Sequence, residues 1–219
     1  MKYIKYTKKV HSDGLLRCGS IRIGTLKDYK EGGHGEMVAD AMEGAKRFSG
    51  TYNNISAEKI KSSLPLSSIV NLESGNINLS INNVTFIEPD YYIFSFAQGY
   101  SLHTHEKWHL KNGYDVAYVI ELPSTFFKKI TKELNKHNAV EFLGLFKVYY
   151  YDEKKGMDFF DPLNKLPAYC LKDDDGFSDQ DEIRAVWRPI NDQSIHPVNL
   201  NVASIERYIH VESQLHNTQ

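Results

Sequence analysis

Apolar and polar residues alternate along most of this chain, and only two short stretches show the three-to-four spacing of a helix. Tyr3–Thr7 alternates and predicts a short strand. His11–Cys18 predicts a short helix closed by Gly19. Ser20–Leu26 (SIRIGTL) sets Ile21 and Ile23 against Arg22 and Gly24, a second strand. Between Lys27 and Gly44, the glycines at 32, 33 and 35 mark a mobile loop. Gly75–Pro89 (GNINLSINNVTFIEP) predicts a hairpin: Ile77, Leu79 and Ile81 alternate, Asn82-Asn83 supplies the turn, and Val84 and Phe86 resume. Tyr91–Ala97 reads as a buried strand, and Asp115–Leu122 as another. Ser124 is placed to cap a helix reaching about His137, whose Phe126, Phe127, Ile130 and Leu134 form one core-facing stripe. Leu143–Tyr151 and Asp181–Arg188 are the last clear strands, and a C-terminal helix is only weakly signalled. Many strands, few helices and no β-α-β alternation predict an α+β fold rather than a doubly wound sheet.

Composition narrows this little. At 219 residues the chain is long enough for one domain with a real core, or one domain with a large insertion. A net charge of -2 gives no global electrostatic case for nucleic acid or membrane, though a local basic groove stays open. Cys18 and Cys170 lie far apart and lack metal spacing, which predicts two free thiols in a reducing cytosol. The opening stretch is basic but has no continuous apolar run, so no signal peptide is expected. No segment has the length to span a bilayer, and a cytoplasmic location is expected.

Two constellations carry chemistry. In HEKWH, His105, Glu106 and His109 match the zinc-hydrolase pattern, in which two imidazoles four apart on a helix bind the metal and the glutamate activates water. Glu133 is a possible third ligand. Against this, Lys107 puts a charge inside the motif, Gly113 ends the helix within a turn of His109, and nine histidines make chance matches common. The bland alternative is a surface loop with Trp108 packed inward. The second constellation is Gln180-Asp181-Glu182. Strand alternation sends Gln180 and Glu182 to one face and Ile183, Ala185 and Trp187 to a core on the other. A carboxylate at such a strand start can bind a sugar hydroxyl and stabilise positive charge developing at the sugar carbon. The bland alternative is an exposed acid paired with Arg184. Asp173–Asp175 lacks calcium-loop spacing and reads as a solvated loop.

Taken in order, several segments resemble divergent bacterial ADP-ribosyltransferases: Ile4-Lys5-Tyr6-Thr7, the SIRIGTL strand, a loop ending in Asp40 and Glu43-Gly44, Ser95 in FSFA, Trp108, and Glu182 heading the last strand. The resemblance runs over about residues 3 to 188. It implies a split β-sandwich of two small, mostly antiparallel sheets, one domain over 1–219, with about 46–89 as a candidate insertion. It further implies NAD as substrate and no metal, with Lys5 or Arg22 on phosphate or ribose and Tyr6 or Tyr29 stacked on nicotinamide. Thr7 belongs to the cofactor motif, and Ser95 supports the pocket. Glu182 would hold the ribose 2′-hydroxyl, with Gln180 and Phe177 presenting the acceptor. Enzymes of this kind resemble toxin–antitoxin or phage-defence effectors, which implies a nucleic-acid or protein acceptor, a possible antitoxin partner and no membrane. A basic lip of Lys8, Lys9, Arg17 and Arg22 would suit nucleic acid, and its plain reading is a solvated face. A zinc hydrolase and an inactive interaction domain remain the alternatives.

Overall fold

The computed structural model describes residues 2–30, 40–191 and 193–215. The glycine triplet at 32, 33 and 35 lies outside them. The elements run β1 (Tyr3–Thr7), α1 (Lys9–Cys18), β2 (Ser20–Thr25), α2 (Leu26–Lys30), β3 (Ala45–Ser56), α3 (Ala57–Lys61), α4 (Leu64–Ser67), β4 (Asn76–Ile87) and β5 (Tyr92–Gln98). They continue with α5 (Leu102–Asn112), β6 (Val116–Ile120), α6 (Pro123–Leu134), β7 (Val140–Lys147), β8 (Tyr149–Tyr151), β9 (Leu171–Asp173), β10 (Glu182–Pro189), β11 (Val198–Asn201) and β12 (Ile209–Gln214). The fold is α+β, and its strands pair antiparallel except for the short β8–β9 pair. No helix among the described residues is long and apolar enough to cross a membrane.

The largest sheet is an eight-stranded network that forks at β5, and β3–β4 and β8–β9 form two further two-stranded sheets. Along one edge β10 pairs from Tyr92 to Ala97 without a break. Along the other edge β2 takes Tyr92 and Ile93, while β1 takes Ala97 and Gln98. Phe94, Ser95 and Phe96 therefore have a strand neighbour on one side only. β2 leads away to β11, and β1 leads to β6 and β12, so a gap opens between them.

The α6 stripe closes one face of this sheet. Phe126, Phe127, Ile130 and Leu134 are buried against Phe94, Phe96 and Trp187, and the Trp187 indole N–H donates to Thr131 Oγ1 at 2.7 Å. The stripe is as expected, but the cap is not. The helix starts at Pro123, whose ring presets φ for the first turn, with Leu122 left-handed before it (φ 42°). Ser124 sits inside that turn and caps nothing.

Four other expectations are corrected. Asn82-Asn83 is no hairpin turn: β4 runs straight through it, paired with β3. Between Phe48–Val84 and Gly50–Ile81, β4 spends one residue more than β3, so the two asparagines form a bulge. Asn83 takes the positive φ (56°) that the turn reading needed, and its N–H donates to Ser49 Oγ. The stretch 143–151 breaks at Val148, whose N–H goes to Glu182 O, so β7 and β8 join different partners. Asp181 is left-handed (φ 41°) and ends a 3-10 turn over Ser178–Gln180, so β10 begins at Glu182. Past Arg188 the chain adds two strands, β11 and β12, and no α-helix among the described residues. Both strands are short and flanked by turns, which hid them.

The β3–α3–α4–β4 arm spans 45–87 and has a core of its own. Phe48, Ile55, Ile60 and Leu66 pack on Tyr151, Met157, Phe159 and Leu171.

Candidate functional site

A cavity of about 330 Å³ occupies the fork. Lys5, Tyr6 and Thr7 reach it from β1, Arg22 from β2, Ser95 from β5, and Glu182 from β10. Tyr29 and Gln180 line it too, so eight predicted site residues, up to 177 positions apart from Lys5 to Glu182, share one cavity. Phe177 is not a wall residue, but its ring lies over Lys172 Nζ, 4.3 Å from the centroid. His105 and His109 stand apart on α5.

Tyr29 reaches the cavity because β2 carries Gly24. A β-carbon there would fall 2.7 Å from the Tyr29 ring. Gly24→Ala is expected to cost about 1–3 kcal/mol through this overlap, measured by urea unfolding. Wild-type stability would mean that the ring is not held against β2.

Glu182 and Arg184 share the cavity face of β10, while Ile183, Ala185 and Trp187 turn to the α6 core. The plain reading of Glu182 as an exposed acid is corrected: it does pair with Arg184, but it is only 5% exposed. Its Oε1 accepts from Arg184 Nε at 2.7 Å, and its Oε2 from Lys172 Nζ at 3.0 Å. Arg184 extends its two terminal nitrogens to both oxygens of Glu43, the second at 2.9 Å. Lys172 also donates to Gln180 Oε1 at 3.2 Å. Gln180 and Glu182 are thus joined through Lys172, not by strand alternation, because the left-handed Asp181 intervenes.

Burial pushes the Glu182 carboxyl up, but the charges of Arg184 and Lys172, with hydrogen bonds from Arg184 and Ser95, outweigh it and hold the group well below the ordinary carboxylate range. Burial also opposes the Arg184 charge, and Glu182 and Glu43 overcome that, keeping it firmly protonated. Burial raises the Glu43 carboxyl against the pull of Arg184, yet both its oxygens accept from the guanidinium, the geometry of an ionised carboxylate. Lys5 donates to Ser95 O at 2.6 Å, in the gap that the strands leave. Burial lowers it to about 8, with Glu182 pulling the other way.

The charges do not cancel. Lys5, Lys172 and Arg184 face Glu43 and Glu182, three cations against two carboxylates, while Arg22 is matched by Asp28 at 2.7 Å. Part of the lining is aromatic. Trp108 lies nearly parallel to Tyr6 (centroids 6.5 Å) and Tyr114 (5.0 Å). Tyr6 pins the start of α5, since its hydroxyl donates to Ser101 O and accepts from Ser101 N–H.

HEKWH is not a surface loop: it lies on α5, an eleven-residue helix capped by Ser101 and closed, within a turn of His109 as expected, by left-handed Gly113. His105 is fully buried, its ring 5.2 Å from that of Tyr6 and its Nδ1 on the Tyr100 hydroxyl. Burial, then His109, lowers its pKa. Glu133 pairs with Lys136. Among the described residues, no group of three or more His, Cys, Asp or Glu is placed to hold a metal ion.

Sequence reasoning missed Lys172 and Tyr114; it named Glu43 only within the loop motif and Arg184 only as a partner of Glu182, neither as a site residue. Arg184 was within reach, two positions beyond Glu182 on the same strand face. Lys172 heads an acidic run that reads as solvated, and nothing local marks it. The comparisons add no relative: no family model, curated protein or solved structure matches the chain.

Proposed function

We propose that the cavity is the site of a nucleotide-binding glycosyl-transfer enzyme. A planar base needs a flat apolar face and its phosphates need positive charge. The Tyr6, Trp108 and Tyr114 rings and the Lys5 charge left over from the Glu43 and Glu182 pairs offer both.

Within that class, the reading best supported is ADP-ribosyl transfer from NAD. The observation that carries it is Glu182: an ionised carboxylate, held in one rotamer by Arg184 and Lys172, on the cavity wall at the fork. In this reaction the bond from ribose C1′ to the nicotinamide nitrogen breaks, and its electron pair leaves with nicotinamide. Positive charge builds on the ribosyl carbon and ring oxygen. Glu182 accepts from the ribose 2′-hydroxyl and offsets that charge. An acceptor nucleophile then bonds to C1′ and gives its proton to solvent. The acceptor is a nucleic acid or a protein, as in an effector of the toxin or phage-defence kind.

The test is nicotinamide release from NAD by the purified protein, with and without cell lysate, using NAD labelled in its adenylate half. Release that requires lysate, with label passing to a macromolecule, is the expected result. Absence of release under both conditions would overturn the reading.

Lys5 gives this site a pH signature. Its ammonium is charged below about 8 and loses its proton above that. The KM for NAD is therefore expected to rise as pH climbs through 8, and Lys5→Met to flatten the rise. A KM independent of pH in the wild type would remove Lys5 from the phosphate contact.

A further inference from the structure

We propose that Lys172 is the positioning residue of this site: its ammonium locks the Glu182 carboxylate toward the cavity and ties it to the 174–180 segment. The role rests on the NAD reading above for its catalytic meaning, but its geometry stands alone. Lysine is almost never fully buried unless its charge is answered. Lys172 is 5% exposed, and its ammonium has three neighbours: Glu182 Oε2 at 3.0 Å, Gln180 Oε1 at 3.2 Å and the face of Phe177 at 4.3 Å. An ammonium has three N–H donors, so two hydrogen bonds and one ring face account for all of them. Two of these partners, Phe177 and Gln180, sit on the turn that delivers the chain to Glu182.

The arrangement also divides labour along β10. Arg184 is committed mainly to Glu43, with its Nε left for Oε1 of Glu182. Oε2 would otherwise lack a cation. Without Lys172 the carboxylate is held only by Arg184 Nε and Ser95, and the turn loses the tie between Gln180 and Glu182. The other charged or titratable groups that act on Glu182 are Lys5 of β1, Tyr29 of α2 and Tyr150 of β8, whose hydroxyl accepts the Glu182 N–H. None of these supplies a cation hydrogen-bonded to Oε2, and the Ser95 hydroxyl that also bonds the carboxylate is neutral, so none replaces the Lys172 charge.

The experiment compares wild type, Lys172→Met and Lys172→Arg, with Lys172→Gln used where the methionine variant does not fold. Each is followed in two ways: the pH profile of nicotinamide release, and the titration of the Glu182 carboxyl by carbon-13 NMR, assigned with Glu182→Gln. Loss of the ammonium is expected to move the Glu182 midpoint up by about one pH unit or more and the acid limb with it. kcat should fall about 10- to 100-fold with little change in KM. Lys172→Arg should restore the acid limb, since the charge returns. A folded neutral variant in which neither the Glu182 midpoint nor the acid limb moves would overturn the proposal and leave Lys172 as packing. If the wild type releases no nicotinamide, the NAD reading falls, and the NMR midpoint alone still decides whether Lys172 holds Glu182.

Discussion

Glu182→Gln is expected to lower nicotinamide release by about 100- to 1,000-fold, with binding of ADP-ribose nearly unchanged. The reason is charge at one point. In the ground state the Glu182 carboxylate is matched by Arg184 and Lys172. As the glycosidic bond breaks, a new positive charge forms at the sugar, and an ionised group fixed beside it stabilises the transition state more than the ground state. An amide has nearly the same shape and keeps one acceptor, so binding survives while the differential term is lost. The substitution is not silent for the network. The amide nitrogen must face either Arg184 Nε or Lys172 Nζ, both donors, so thermal unfolding must accompany the assay to separate chemistry from folding. Glu182→Asp provides the second arm. It keeps the charge but draws it back by one methylene, and its rate should fall between the two. Wild-type turnover in a folded Glu182→Gln protein would remove Glu182 from the chemistry, and with it the reading of the cavity.

What the sequence revealed about this site follows from where each residue sits on its element. Lys5, Tyr6 and Thr7 are consecutive on β1, and the strand was legible because it alternates. Glu182 was legible as the head of a strand whose odd-numbered residues are plainly core. Partners fixed by long-range contact were not legible. Glu43 meets Arg184 across 141 positions, and no local pattern announces that pairing. Lys172 was hidden by Asp173–Asp175, whose charge suggests solvent, although the β9 backbone turns its side chain inward. The fork itself was invisible, because it depends on β1 and β2 dividing one edge of β5. Turn chemistry misled in the opposite sense. Asn82-Asn83 has the composition of a hairpin turn, and the β3 partner, supplied more than 25 positions earlier, turned the same left-handed preference into a bulge. HEKWH is a similar case: the pattern is real and helical, but His105 serves the aromatic wall through Tyr6 and Tyr100.

Arg184→Leu is expected to destabilise the protein by about 3–5 kcal/mol, a Tm loss on the order of 6–20 °C for a chain of this size. The guanidinium is 1% exposed and is the common partner of two buried carboxylates. Leucine restores apolar volume but leaves Glu43 without its hydrogen-bonded cation, with only the charge of Lys172 acting on it, and Glu182 with Lys172 and the Ser95 hydrogen bond. The sign of the pH dependence separates this from simple loss of packing. In the wild type the folded-state pKa of Glu182 is depressed, so its contribution is fully present above the ordinary glutamate range and is lost as pH falls toward the folded value. Burial already raises Glu43 in the wild type against the pull of Arg184 and, more weakly, Lys172; in the variant the larger of those two pulls is gone, so its folded pKa rises further above the unfolded one. The variant then gains protons on folding, and its stability rises as pH falls from neutrality into the carboxylate range. The gap between the two proteins should therefore narrow on acidification, and adding Glu43→Gln to Arg184→Leu should recover part of it at neutral pH by removing the charge left unpaired. A gap of constant size from pH 7 down to about pH 4, with no recovery in the double variant, would mean that Arg184 acts through its bulk. The charge network that holds Glu182 would then have to be anchored by Lys172 alone.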